Sequence, residues 1–251
     1  MTDKKIVLIT GGNTGIGYQT VKAFLHSGQA YLVLMGSRSL EKAHAAIEQL
    51  KTEVPQTSSS IEAVQIDVSS DESIQKAFET DQEEKAGKLT MREAWNKTFD
   101  VNVPGSYMVT YVFMPLLLKS ADPRLLFITS GLSSLTRTRD QFYPPQSPHP
   151  AGWPKQFSAA GDHTSYRSVK AALNMMMINL RFQLSADGVK TWSIAPGFLA
   201  TNLGGVGKDL LQKFGAGDPS IGGNFIRDVV EGKRDADEGR VVCNDGSVQP
   251  W

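Results

Sequence analysis

Six short apolar, β-branched runs recur along the chain with helical patterns between them, and this alternation constrains the fold more than any other feature. The runs are Lys5 to Thr10, Tyr31 to Met35, Ile61 to Ile66, Arg124 to Thr129, Lys190 to Ala195 and Gly239 to Cys243. Their apolar continuity predicts strands buried on both faces, as in a parallel sheet. Periodicity predicts helices over Gly15 to Ser27, Leu40 to Lys51, Asp71 to Glu79, Thr90 to Leu118 and Thr164 to Ala186. Strand then helix, repeated, is the pattern of an α/β fold with a doubly wound parallel sheet. A proline-rich stretch, Phe142 to Pro150, and a glycine-rich one, Gly204 to Gly223, break the rhythm and are predicted as loops. Both lie inside the alternation, where a cut would split the sheet, so residues 1–251 are expected to form one domain.

Charge excludes some partners. Lys plus Arg and Asp plus Glu both total 26, leaving no overall field to draw nucleic acid or an anionic membrane. The amino terminus, Met1-Thr2-Asp3-Lys4-Lys5, leads into an apolar stretch too short for a signal peptide or a membrane span. Cys243 is the only cysteine, which rules out an internal disulfide and suits the cytoplasm. His26, His44, His149 and His163 are scattered, without the spacing of a metal site, and no metal is expected.

The first run leads directly into Thr10-Gly11-Gly12-Asn13-Thr14-Gly15-Ile16-Gly17, followed by an amphipathic helix. In that context glycines allow the backbone to approach a pyrophosphate closely, and the helix start offers free N–H groups and a partial positive charge. Gly11, Gly15 and Gly17 are the leading candidates, with Asn13 and Ile16 in the same turn; the competing reading is a tight strand-to-helix connection. This places the sheet in the Rossmann-like class. The second run ends Met35-Gly36-Ser37-Arg38, without the acid that holds the ribose diol in NAD-preferring proteins. Arg38, with a further hydrogen bond from Ser37, suits a 2′-phosphate, so NADP(H) is the expected cofactor. Asp67, past the third run, can reach an adenine or cap a helix.

Tyr166 and Lys170 fall one turn apart on one face of a predicted helix. An adjacent ammonium stabilises a phenolate, so the Tyr166 pKa is expected to be lowered toward neutrality for acid–base work when Lys170 acts together with a positively charged oxidised nicotinamide. Ser130 ends the fourth run, at the strand end where ligands sit in open α/β sheets, and its hydroxyl can orient a carbonyl oxygen; Ser133 and Ser134 compete for that role. Asn102 lies in a predicted helix, where asparagine has poor propensity. It can hold a water that relays protons to Lys170, or simply bond to backbone. Pro196 and Gly197 turn the chain after the fifth run, and Thr201 can touch a nicotinamide amide or the pyrophosphate.

Taken together, TGGNTGIG, Asp67, Asn102, Ser130, YRSVK and PGFLAT resemble, in this order, the short-chain dehydrogenase/reductase family over nearly the whole chain. The resemblance implies a seven-stranded parallel sheet of order 3-2-1-4-5-6-7, and a catalytic tetrad of Asn102, Ser130, Tyr166 and Lys170. It further implies NADP(H)-dependent reduction of a ketone or aldehyde, or oxidation of the matching alcohol. The long interval from Ser130 to Tyr166 and the residues GSR are similar to the carbonyl-reductase-like branch and related fungal reductases. Thr14 stands where many NADP-binding relatives carry a basic residue. A homodimer or homotetramer through the Tyr166 helix is implied too, and Leu173, Met175, Met176, Met177, Ile178 and Leu180 make that helix apolar on more than one face. Trp153, Phe157, Phe198, Leu199 and Phe214, in the loops that would shape a pocket, point to an apolar substrate.

One family feature is missing. A strand ending in Asn-Asn-Ala-Gly belongs between the third run and the Asn102 helix, but residues 78–87 supply no apolar run. Either a skipped exon or faulty gene model has removed the fourth, central strand and left backbone groups unpaired, or the sheet closes directly between its first and fifth strands in a compact but catalytically altered protein; a catalytically impaired cofactor-binding or interaction protein is the alternative function.

Overall fold

The first three predicted strands pair as expected: β1 (Lys5–Ile9), β2 (Tyr31–Ser37) and β3 (Ser60–Gln65) form a parallel sheet of order β1-β2-β3. The structure, a computed structural model, describes residues 4–67, 90–140, 150–153, 163–201 and 207–251. Helices α1 (Gly15–Leu25) and α2 (Leu40–Glu53) bring Val21, Phe24 and Leu50 into a core with Tyr31, Val33 and Met35 of β2. The Ser39 side chain caps α2 by accepting from the Lys42 N–H.

A second sheet holds β4 (Arg124–Ile128), β5 (Lys190–Ala195), β6 (Val241–Cys243) and β7 (Val248–Gln249), in that order. The first three are parallel and β7 runs antiparallel to β6. Alternate residues of β4 serve opposite faces: Leu125 and Phe127 pack on Leu173, Met177 and Leu180 of α6 (Thr164–Gln183), while Leu126 and Ile128 pack with Trp192, Ile226 and Val229. Ile226 and Val229 belong to α8 (Pro219–Val230). Burial on both faces is what the continuous apolar runs predict.

The predicted helix Thr90 to Leu118 is not continuous. Thr90 and Glu93 form a capping box for α3 (Met91–Asp100), a π-helical turn follows at Val101–Gly105, and α4 (Ser106–Leu117) completes the run. Pro104 lies in that turn. It offers no N–H to the carbonyl a turn earlier and its ring crowds that carbonyl, so the backbone widens there. The glycine-rich stretch read as a loop contains α7 (Lys208–Lys213) and the start of α8, where Asp218 caps and Pro219 takes the first position. The interval after Ser130 carries a short helix, α5 (Leu135–Asp140). The predicted helix Asp71 to Glu79 and residues 78–87 lie outside the described residues, as does most of the proline-rich stretch.

The expected single sheet is therefore two hydrogen-bonded sheets, and among the described residues no strand pairs with the outer edge of β1 or of β4. Direct closure between β1 and β4 is overturned. Among the described residues the halves meet where α1 packs against α8, while α3 packs against α6 within the second half. The first contact is unusually close, since a Cβ on Gly223 would lie 2.5 Å from the Gln19 carbonyl oxygen. At the far end of the second sheet, Arg124 forms a two-pronged ion pair with Asp235 at 2.6 and 2.8 Å, and Lys190 joins the same carboxylate at 2.9 Å. Among the described residues no helix is long and apolar enough to cross a membrane.

Candidate active site

Three elements converge at the carboxyl end of β4. Ser130 follows the strand in extended conformation, α6 presents Tyr166 and Lys170 one turn apart, and the π-helical turn presents Asn102. The Ser130 hydroxyl stands next to the Tyr166 phenol, close enough to pull its proton affinity down. Lys170 Nζ donates to Asn102 Oδ1 at 2.8 Å and to the Ile128 carbonyl at 2.9 Å, and lies 5.7 Å from the centre of the Tyr166 ring. Asn102 Nδ2 donates to the Thr98 carbonyl at 2.9 Å. The backbone reading of Asn102 holds for its nitrogen, and its oxygen accepts from Lys170 directly, a contact the sequence reading did not foresee. A relaying water is not needed to join the two side chains.

Burial sets the proton affinities. It pushes the Lys170 ammonium down to about 8. It pushes the Tyr166 phenol up, with the Ser130 hydrogen bond pulling partly the other way. Burial is the cause of that rise; the expected lowering calls for Lys170 acting together with a positively charged nicotinamide. Tyr166 is consequently held as a neutral phenol, a proton donor, near neutral pH.

The competition among the three serines has a geometric answer. Ser133 and Ser134 are buried, the first donating to the Ser130 carbonyl at 2.7 Å and the second to the Pro250 carbonyl at 2.7 Å. Only Ser130 turns its hydroxyl to Tyr166. Asn174 and Gln249, which the sequence reading passed over, contact Ser133 at 2.9 and 3.0 Å. The signal for Asn174 was present: a polar residue one turn beyond Lys170 on an otherwise apolar helix face.

Across the site lies the glycine turn. Gly11 and Gly15 adopt φ of 62° and 54°, with open space where a Cβ would point, and a Cβ on Gly17 would collide with the Gly11 carbonyl. Thr14 makes no side-chain cap to α1, so no such cap takes up the first N–H groups of the helix. Asn13 is half-buried in the turn, and Ile16, also half-buried, packs against the cluster of Trp192 and Ile194. At the end of β2, Arg38 Nη1 is buried without a hydrogen-bond partner. Ser37 departs from expectation: it is 2% exposed and its hydroxyl donates to the Ser39 carbonyl at 3.1 Å, so it stabilises the turn into α2 instead of reaching outward. Asp67 is exposed just after β3. Pro196 is buried, Gly197 turns at φ 97° against Asn244, and Thr201 is nearly buried beyond it. An uncapped helix start beside backbone that admits close approach, together with an unpartnered guanidinium nitrogen, fits a nicotinamide dinucleotide. Of the proposed pocket residues, Trp153, Phe198 and Phe214 are exposed, Leu199 is buried beside Gly222, and Phe157 lies outside the described residues.

Comparisons with known proteins agree with this geometry. A family model described as short chain dehydrogenase matches residues 5–91. The chain is 43% identical to the short-chain dehydrogenase/reductase tropE of Talaromyces stipitatus, covering 100% of this chain and 99% of that protein. It is 41% identical to the short-chain dehydrogenase/reductase eupG of a Phoma species, covering 99% and 98%. The tropE alignment runs over 266 positions against 251 residues here, so the relative carries residues that this chain lacks. Among solved structures, NADPH-bound carbonyl reductase from chicken fatty liver superposes with a TM-score of 0.70 at 19% identity, covering 99% of each chain. Carbonyl reductase Sniffer of D. melanogaster gives 0.67 at 20%, again over 99% of each. Those two likenesses are of fold.

Proposed function

This chain belongs to the short-chain dehydrogenase/reductase family, and from that premise we propose that it reduces a ketone or aldehyde with NADPH, or oxidises the matching alcohol. The carrying observation is Lys170, fixed by Asn102 and the Ile128 carbonyl beside the Tyr166 ring, with Ser130 next to the phenol. NADP(H), when bound, supplies or accepts the hydride. Ser130 donates a hydrogen bond to the substrate carbonyl oxygen and Tyr166 gives that oxygen its proton. Lys170, cationic below about 8, holds positive charge beside the phenol, and Asn102 keeps the ammonium in place. Arg38 Nη1 supports NADP(H) over NAD(H) as the partner of the adenosine end. Gly11, Asn13, Gly15, Ile16, Gly17, Asp67, Pro196, Gly197 and Thr201 complete the proposed cofactor surface, largely through backbone. Exposed Trp153, Phe198 and Phe214 support a small apolar substrate, and the balanced charge and lone, buried Cys243 support a cytoplasmic, single-domain enzyme without nucleic-acid partners.

A second reading, a catalytically impaired protein that binds the cofactor, draws on the division into two sheets among the described residues. Titrating NADPH by fluorescence and assaying a panel of carbonyl compounds separates the two. Turnover that Tyr166→Phe abolishes while sparing NADPH affinity supports the enzyme; binding without turnover on any compound supports the alternative.

A further inference from the structure

Beneath Ser130 lies a buried polar cluster that the chemistry above leaves unused. Ser133 Oγ donates to the Ser130 carbonyl oxygen at 2.7 Å. Gln249 Nε2, from β7, reaches that same carbonyl at 3.3 Å and Ser133 Oγ at 3.0 Å. Asn174 Nδ2, from α6, reaches Ser133 Oγ at 2.9 Å. Just beyond, the Ser134 hydroxyl donates to the Pro250 carbonyl at 2.7 Å and the Thr136 N–H to the Trp251 carbonyl at 2.6 Å. Residues 249–251 therefore run alongside the loop 130–136 and hold it at several points.

Fold stability does not account for the two amides. Asn174 Oδ1 and Gln249 Oε1 are both buried without a hydrogen-bond partner. Such an orphaned oxygen weakens a fold, and leucine of similar volume would avoid it. Both side chains instead direct their N–H groups toward oxygens of the loop that carries Ser130. At the Ser130 end, the loop's own bonds are local: Ser130 Oγ accepts from the Leu132 N–H at 3.2 Å, and the Ser133 N–H returns to the Ser130 carbonyl at 3.0 Å.

We propose that Gln249, together with Asn174, is a positioning residue for Ser130: by fixing the Ser130 carbonyl and the Ser133 hydroxyl, its amide aims the Ser130 hydroxyl at the Tyr166 oxygen. The inference rests on the assignment of Ser130 and Tyr166 to carbonyl and proton handling. A reacting group displaced by a fraction of an ångström loses rate without losing cofactor affinity.

The test is a double-mutant cycle of Gln249→Leu with Ser130→Ala, read as kcat and KM on a carbonyl compound the protein reduces, NADPH affinity, melting temperature, and amide exchange at Leu132 and Ser133. Gln249→Leu is expected to lower kcat about tenfold, leave NADPH affinity unchanged, and speed exchange at both amides. In the Ser130→Ala background it should cause no further loss. Full activity of Ser130→Ala overturns the underlying assignment. An impaired Ser130→Ala beside a fully active Gln249→Leu, or an equal factor lost in both backgrounds, overturns the positioning role alone. Unchanged exchange at Leu132 and Ser133 overturns it independently of turnover. If Gln249→Leu shows no cooperative melt, Ser133→Ala, which removes only the hydroxyl at the centre of the cluster, is read by the same criteria.

Discussion

The Lys170 ammonium lies 2.8 Å from the Asn102 side-chain oxygen, so the charge at the centre of the site is governed jointly by α6 and by the irregular turn between α3 and α4. Lys170 loses its proton above about 8, whereas Tyr166, pushed upward by burial, keeps its own over that range. Reductive kcat/KM is expected to be level near neutrality and to fall about tenfold per pH step above the Lys170 value. Asn102→Leu removes an acceptor of the charged form, lowers the Lys170 pKa further and moves that limb to lower pH. A pH–rate profile of both proteins checks this; a limb unmoved by the substitution assigns it to another group.

Arg38 is expected to set cofactor choice. Its unpartnered Nη1 at the end of β2 would give a 2′-phosphate a charge-assisted contact of about 1.5 to 3 kcal/mol, or roughly 10- to 150-fold in affinity. Arg38→Ala should erase most of the preference for NADPH and leave NADH affinity nearly unchanged. With Thr14 in place of a second cation and Ser37 turned inward, the preference should lie toward the lower end and weaken with salt. Equal affinities of the parent protein for NADH and NADPH would refute the assignment.

The Arg124–Asp235–Lys190 network ties the starts of β4 and β5 to the turn before β6. Hydrogen bonds from Arg124 above all, with Lys190 adding to them, hold the Asp235 carboxyl down to about 2. A lowered carboxylate pKa stabilises the fold above its unfolded value and loses that contribution as pH falls through the folded one. Asp235→Asn should cost about 1 to 2 kcal/mol near pH 7, discounted for partial exposure, and only about 0.4 kcal/mol near pH 2, where the carboxyl is half protonated. Melting curves across pH 2 to 7 should show the two proteins converging at the acid end.

Phe182 and Met175, 81% and 62% exposed, leave α6 with a second apolar face opposite the one it packs on β4. A homodimer through this face is expected. A charge at Phe182 would enter a two-fold interface twice, so Phe182→Glu should weaken it by about a hundredfold or more. Sedimentation at micromolar concentration reads both: the parent as dimer, the variant as monomer. A monomeric parent removes the expectation.

Strands buried on both faces were the most legible elements. Lys190–Ala195 is a run of residues with no exposed position, and its predicted limits are the observed ones. At Gly239 a φ of 78° ends any strand, which is why β6 begins only at Val241. β7, two residues long, carries no periodicity to read, yet it delivers Gln249 to the site. In the long predicted helix, Pro104 beside Asn102 was a visible break signal that apolar periodicity overrode. For Tyr166, sequence spacing gave the neighbour but neither the direction of the Lys170 ammonium nor the burial that pushes the phenol up.

The close approach of Gly223 to the Gln19 backbone has a mechanical consequence. The glycine turn sits at the root of α1, whereas Ser130, Tyr166 and Lys170 belong to the other sheet and its helices. Because β1 and β4 share no backbone hydrogen bonds, the α1–α8 contact acts as a spacer that sets how far the cofactor-facing half stands from the proton-donating half. A methyl group added there, as in Gly223→Ala, would wedge the halves apart and slow hydride transfer from a distance, with every reacting group chemically intact.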